Sequence, residues 1–143
     1  MIAHFAHFIR AVSILALSLG YATAHAAGSE TSTVLLKTER AWDGGLYQRY
    51  PTGQPELTVL KSVIPAHTQL PWHTHPAPNA TYILSGTLTV ESKDGKFKKT
   101  FKSGEALASP VNTVRRGVTG DQPVELITFY AGTPNEAAEK VAK

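Results

Sequence analysis

Two histidines spaced two apart, His73 and His75, stand in the stretch 71–86, which reads PWHTHPAPNATYILSG. Side chains alternate across a strand, so residues i and i+2 project from the same face. An extended segment here therefore presents both imidazoles to one side. Neutral imidazole is the commonest protein ligand for a metal ion, and it can also serve as a general base. Asn79 follows with an amide oxygen, then the short apolar run 81–84, then a turn at Ser85-Gly86. Chemistry can be built at this place if the rest of the chain forms a vessel around it.

The elements that must form that vessel read as strands. Residues 34–38 are apolar and β-branched, Trp42-Asp43-Gly44-Gly45 interrupts them, and 46–50 follows before the turn-rich loop 51–55. Residues 57–64 are mostly apolar and close at Pro65-Ala66-His67, ahead of the histidine run. Residues 81–84 and 87–91 flank Ser85-Gly86, and Asp94-Gly95 is a strong hairpin signal. In 96–102 the residues Phe97 and Phe101 share one face with Lys99, while Lys96, Lys98 and Lys102 share the other. These lysines fit the solvated side of a hairpin, which keeps a strand edge from aggregating. Gly104 starts another turn, and 124–130 gives a last strand. Short strands with turn signals every 8–12 residues point to an all-β sandwich or barrel. The end changes character: Thr133 offers a cap, Pro134 the first helical position and Glu136 the closing residue of a capping box. The spacing predicts a short, loosely held helical tail over 133–143.

The first residues read as an export signal. Arg10 is the one fixed charge in 1–10, the apolar run 11–20 follows, and Ala24-His25-Ala26 supplies a small-residue cleavage site. The apolar run is shorter than the roughly 20 residues that a membrane-spanning helix needs. Residues 1–26 are thus expected to be a signal peptide, with no stable membrane anchor after cleavage and a periplasmic or secreted destination. The expected organisation beyond it is N-terminal strands and loop over 27–54, a barrel core over 55–132 and the tail.

The chain has no cysteine, which excludes a disulfide framework, a thiolate metal site and thiol catalysis. Its formal net charge of +3 falls by one with Arg10. That charge, without interleaved aromatic and basic residues, argues against a nucleic-acid partner.

The chain resembles a small single-domain cupin, a double-stranded β-helix of the jelly-roll type. The first cupin motif runs Gly, five residues, His-x-His, three or four residues, Glu, six residues, Gly; here His73-Thr74-His75, Asn79 and Gly86 keep those spacings. The second runs Gly, five residues, Pro-x-Gly, two residues, His, three residues, Asn. In this chain Gly104 and Pro110 keep their places, Asn112 takes the glycine slot and Arg115 the histidine slot. His67 falls at the first motif's leading glycine slot, where φ can be positive, a conformation that histidine tolerates better than most residues.

The resemblance implies one divalent metal (Fe, Mn, Ni or Zn) held by two histidines and a glutamate of the first motif and a histidine of the second. The departures bear on that. Asn79 offers a neutral carbonyl oxygen, a weaker ligand than carboxylate for such ions. Arg115 has no lone pair to give and stays charged at any relevant pH. A unit charge about 4 Å from a divalent ion, at an effective dielectric near 20, repels it by roughly 8 kcal/mol. Either Arg115 turns away and water fills the open positions, or the pocket holds no metal and His73, His75 and Arg115 together receive an anionic ligand. Guanidinium suits a carboxylate or phosphate because its fork donates two parallel hydrogen bonds. Arg116, one residue on, should face the other way, and a one-residue slip of register would exchange the two.

Trp72 and Thr74 fall on the strand face opposite the histidines; Tyr82, Phe129 and Tyr130 are candidates to line the pocket. The leading expectation is an exported small-molecule-binding cupin with a degenerate metal site, its ligand held by His73, His75, Arg115 and Tyr82. Its rival is a metal-dependent oxygenase or isomerase with His73, His75 and Asn79 as ligands. A third is a metal-free enzyme with histidine as general base, which lacks a carboxylate in the first motif to orient the imidazole. Pairing with a second copy is a family-level expectation.

Overall fold

The computed structural model describes residues 30–142; the expected signal peptide over 1–26 lies outside them. From Thr33 onward the chain forms one unit, and it is all-β: no helix occurs among the described residues. Nine strands make two antiparallel sheets in a jelly-roll arrangement. They are β1 (Glu56–Ile64), β2 (His73–Thr74), β3 (Asn79–Ser85), β4 (Thr87–Ser92), β5 (Lys98–Lys102), β6 (Ala106–Ser109), β7 (Arg115–Thr119), β8 (Val124–Gly132) and β9 (Lys140–Val141). One sheet has the order β1-β8-β3-β6 and the other β5-β4-β7-β2-β9.

Period-two alternation produces the core. In β3 the residues Asn79, Thr81 and Ile83 turn inward, and in β8 the residues Val124, Leu126, Thr128 and Tyr130 do the same. The facing sheet contributes Leu88 and Val90 from β4 and Phe101 from β5. The register stacks these residues in levels. Thr58, Tyr130, Asn79 and Ser109 lie side by side at one end, and Leu60, Thr128, Thr81 and Leu107 form the next level. Deeper still come Leu126 and Ile83. The interior is thus polar at one end and apolar at the other, and the apolar cluster of Ile64, Ile83, Leu88, Val90, Phe101, Leu107, Val124 and Leu126 supplies most of the burial that drives folding.

Several expectations need correcting. Residues 34–38 and 46–50 form no strands; only an isolated bridge joins Arg40 to Leu46 across the turn at 42–45. That turn is tied to the sheet by a hydrogen bond from the Trp42 amide to the Ala108 carbonyl at 2.9 Å, and the Tyr47 hydroxyl donates to the Ser109 carbonyl at 2.6 Å. The segment docks beside β6 through these groups, so it needs no ladder of its own. Strands β6 and β7, with fewer residues and a weaker apolar pattern, were not legible as strands.

The expected helical tail is not formed. Asn135 takes a left-handed backbone with φ of 68°, which interrupts any helix after its first turn. Lys140–Val141 instead pairs with His73–Thr74 at the sheet edge, and the Ala142 amide donates to the Trp72 carbonyl at 2.8 Å. A short polar helix is marginal in water, whereas an open edge offers backbone partners at once.

Candidate functional site

His73 and His75 occupy neighbouring inward positions at and just beyond β2, and both are buried. Their rings lie 5.1 Å apart, edge to face. The His73 Nδ1 stands 2.8 Å from the Pro71 carbonyl, and the His75 Nδ1 stands 2.7 Å from the Ala138 carbonyl. A carbonyl oxygen only accepts, so each Nδ1 carries the proton. In the neutral rings each Nε2 therefore presents a lone pair. His75 depends for this on a residue 63 positions away in sequence, brought in by the pairing of β9 with β2.

Arg115 is the direct strand partner of His73. It is 6 % exposed, its Nε–H has no hydrogen-bond partner, and no carboxylate forms an ion pair with it among the described residues. Arg116 faces the other way, as alternation requires. Its Nε donates to the Glu91 carboxylate at 2.6 Å, and its guanidinium stacks on Trp72 at 4.3 Å from the ring centre. Glu91 is held below the usual carboxylate range, first by that hydrogen bond.

His73, His75 and Arg115 line one cavity of about 280 Å³. Thr81, Thr128 and Tyr130 add hydroxyls to its polar end, where the two threonine hydroxyls lie 2.9 Å apart. Leu70, Leu88, Val90, Leu107 and Leu126 line the rest. Glu139, on the tail, reaches the same cavity from an exposed position. Gly117 of β7 keeps room there, since a Cβ would stand 3.1 Å from the Leu88 side chain.

Two expected site residues are placed differently. Tyr82 alternates outward from Thr81 on β3 and is not among the cavity-lining residues; the tyrosine there is Tyr130, whose ring lies 5.3 Å from that of His75. Asn79 turns inward and is buried, but it too is not among the lining residues. Its Nδ2 donates to the Ala77 carbonyl at 3.2 Å, and its Oδ1 is buried without a partner. His67 has a φ of 53° and Asn112 of 57°, the turn geometry that their glycine slots call for; His67 lies on the surface near Asp121, outside the cavity. Sequence reasoning missed Glu139, the threonine pair and the two carbonyls that orient the histidines, because nothing local marks which loop crosses β2.

Burial sets the electrostatics. It is the largest cause holding His75 down to about 3, and the Arg115 guanidinium pushes the same way. His73 is also lowered, by burial first, against the bond to Pro71. Burial brings Arg115 down to about 10, so it stays charged at neutral pH, and it raises Tyr130.

This has a consequence for stability. The unfolded chain takes up a proton on each histidine near the ordinary value of about 6.5, and the native state does not. Stability is therefore full above that value and falls as pH drops from about 6.5 towards 3 for His75, by up to about 1.4 kcal/mol per pH unit, and His73 acts in the same direction. Melts followed by circular dichroism should show the midpoint falling between about pH 7 and pH 5, with a flatter profile in His75→Gln. An unchanged midpoint over that range would contradict the buried, neutral state of these rings.

The donor set does not suit a resident divalent metal. The two Nε2 lone pairs are oriented as metal-binding histidines are, each with its other nitrogen held by a carbonyl. Yet no group of three or more histidine, cysteine, aspartate or glutamate side chains placed to hold a metal ion occurs among the described residues, and a buried cation, Arg115, shares the cavity.

Comparison with known proteins agrees with the fold. Residues 60–130 match the family model of the cupin domain. Among solved structures, the chain is similar to the DMSP lyase DddQ from Ruegeria pomeroyi, with 22 % identity and a TM-score of 0.54 over 60 % of this chain and 43 % of that one. It is also similar to a cupin-like protein from Thermotoga maritima, with 16 % identity and a TM-score of 0.51 over 60 % and 64 % of the two chains. The polyketide cyclase RemF from Streptomyces resistomycificus gives 17 % identity and 0.51 over 61 % and 62 %. The chain spans less than two thirds of the length of each of these. No curated protein matches it.

Proposed function

We propose that the cupin domain over residues 60–130 binds a small anionic molecule in the cavity between its sheets, with Arg115 as the counter-charge. The observation that carries this reading is a guanidinium buried beside two neutral histidines with an unpartnered Nε–H. Burying a guanidinium with an N–H left unpaired costs free energy that an anion would offset. The fork geometry favours a carboxylate or a phosphate-like group, and a cavity of about 280 Å³ limits the ligand to roughly ten heavy atoms, at about 30 Å³ for each water-sized group. The apolar end accepts a short hydrocarbon group.

The test is isothermal titration of short-chain carboxylates against their uncharged primary amides. The carboxylates should bind and the amides should bind at least about tenfold more weakly, since a charge-assisted pair is worth some 1.5–3 kcal/mol. Equal binding of both, or of neither, would sink the reading.

A second reading has one observation in its favour, the pair of free Nε2 lone pairs. It makes the protein a metal-dependent cupin enzyme of the oxygenase or isomerase type, with His73 and His75 as ligands and water completing the shell of an Fe, Mn, Ni or Zn ion. Elemental analysis of untagged protein, prepared without chelator, separates the two. Close to one metal per chain, lost in a His73→Ala/His75→Ala variant, would support it; background metal in both would end it.

A further inference from the structure

We infer that the ligand of this cavity is a 2-hydroxycarboxylate with a short apolar substituent. The inference rests on the anion-binding reading and adds what the histidines require. With each Nδ1 proton committed to a backbone carbonyl, the neutral rings face the cavity as acceptors only. Arg115 is a donor only. An unsubstituted carboxylate filling the cavity would satisfy the guanidinium and offer no hydrogen to either Nε2, whereas a ligand with its own donor would gain that bond as well. A donor beside the anion is therefore favoured.

The register sets the two side chains next to each other. His73 and Arg115 are direct cross-strand partners, with Cβ atoms about 4.5–5.5 Å apart on one face, and both line the same cavity. A hydroxyl on the carbon next to the carboxylate keeps the ligand's donor and anion adjacent, which suits such a pair. An ammonium would also donate to a histidine, but it would bring a second cation beside Arg115 in a buried site, so the hydroxyl is favoured. The third substituent of that carbon then faces the leucines at 70, 88, 107 and 126, which favours hydrocarbon over further polar groups.

The experiment is calorimetry on the full chain with matched probes: lactate, propionate and 2-methoxypropionate, and the longer pair 2-hydroxyhexanoate and hexanoate. The hydroxy acids should bind about tenfold more tightly than their unsubstituted partners, the size of one well-made hydrogen bond in a buried site. The methoxy compound, which keeps the oxygen and loses the donor, should bind no better than propionate. In a His73→Leu variant the ratio between lactate and propionate should shrink towards one. Binding of all these acids that depends on Arg115 but ignores the hydroxyl would overturn the inference and leave the anion reading standing. No binding of any carboxylate would overturn both.

Discussion

Arg115→Met should abolish carboxylate binding while leaving the fold as stable as the parent or more so. Removing one partner of a buried, hydrogen-bonded charge pair commonly costs about 2–5 kcal/mol of binding, so affinity should fall by at least roughly thirtyfold. Stability should move the other way. In the free protein the guanidinium is 6 % exposed and its Nε–H has no partner, which is a cost of folding. Methionine has a similar length, adapts its shape and needs no hydrogen bond. Replacing buried charge by apolar side chains of similar volume is often neutral or stabilising by about 1–4 kcal/mol. Calorimetry for binding and a thermal melt for stability check the two halves together. A conservative control, Arg115→Lys, keeps the charge and loses the fork, and should bind between the two. A strong drop in melting midpoint for Arg115→Met would mean that Arg115 holds the structure together. Full retention of binding would remove it from the site.

Gly86→Ala is expected to cause the larger structural damage, although it adds only one methyl group at a turn. Gly86 has a φ of +80°, and a Cβ there would stand 2.3 Å from the Pro123 carbonyl oxygen, which is backbone and cannot swing aside. The left-handed conformation alone costs an alanine roughly 1 kcal/mol. The contact adds the displacement of the chain at Pro123-Val124, where β8 starts against the core. Together these should cost about 3–4 kcal/mol, a large share of the 5–15 kcal/mol that stabilises a typical domain. For a domain of this size the melting midpoint should fall by roughly 10–20 °C. Gly95→Ala isolates the backbone part, because Gly95 has a φ of +72° and nothing within 4 Å of the added carbon. Its loss should stay near 1 kcal/mol. Equal losses at the two positions would refute the close approach of β8 to the turn after β3.

Much of the fold was legible from local chemistry. Alternation and turn residues marked the hairpin around Asp94-Gly95 and the strands that became β1, β3, β4, β5 and β8, and the motif spacings pointed to two sheets in a jelly roll. The opposition of Arg115 and Arg116 was also readable, since alternation alone sends neighbours to opposite faces. Hydrophobicity misled where it does not report burial. Leu57, Val59 and Val63 in β1 are exposed although the segment is mostly apolar, and Tyr82 faces outward while Tyr130 faces in. The tail read as a helix because its capping residues are locally consistent, but pairing with a strand edge outweighed a helix of about three turns at most.

The sequence by itself determined which residues could do chemistry: two histidines on one face, and an arginine where a metal ligand is expected. Tertiary structure alone decided what they can do. It placed Arg115 inside the cavity and beside His73, by pairing strands about 40 residues apart. It supplied the Ala138 carbonyl that fixes the His75 proton, by laying the tail along β2. Local propensity cannot encode either contact, because each depends on which distant backbone group meets a side chain, and that is settled only when the sheets close over the core.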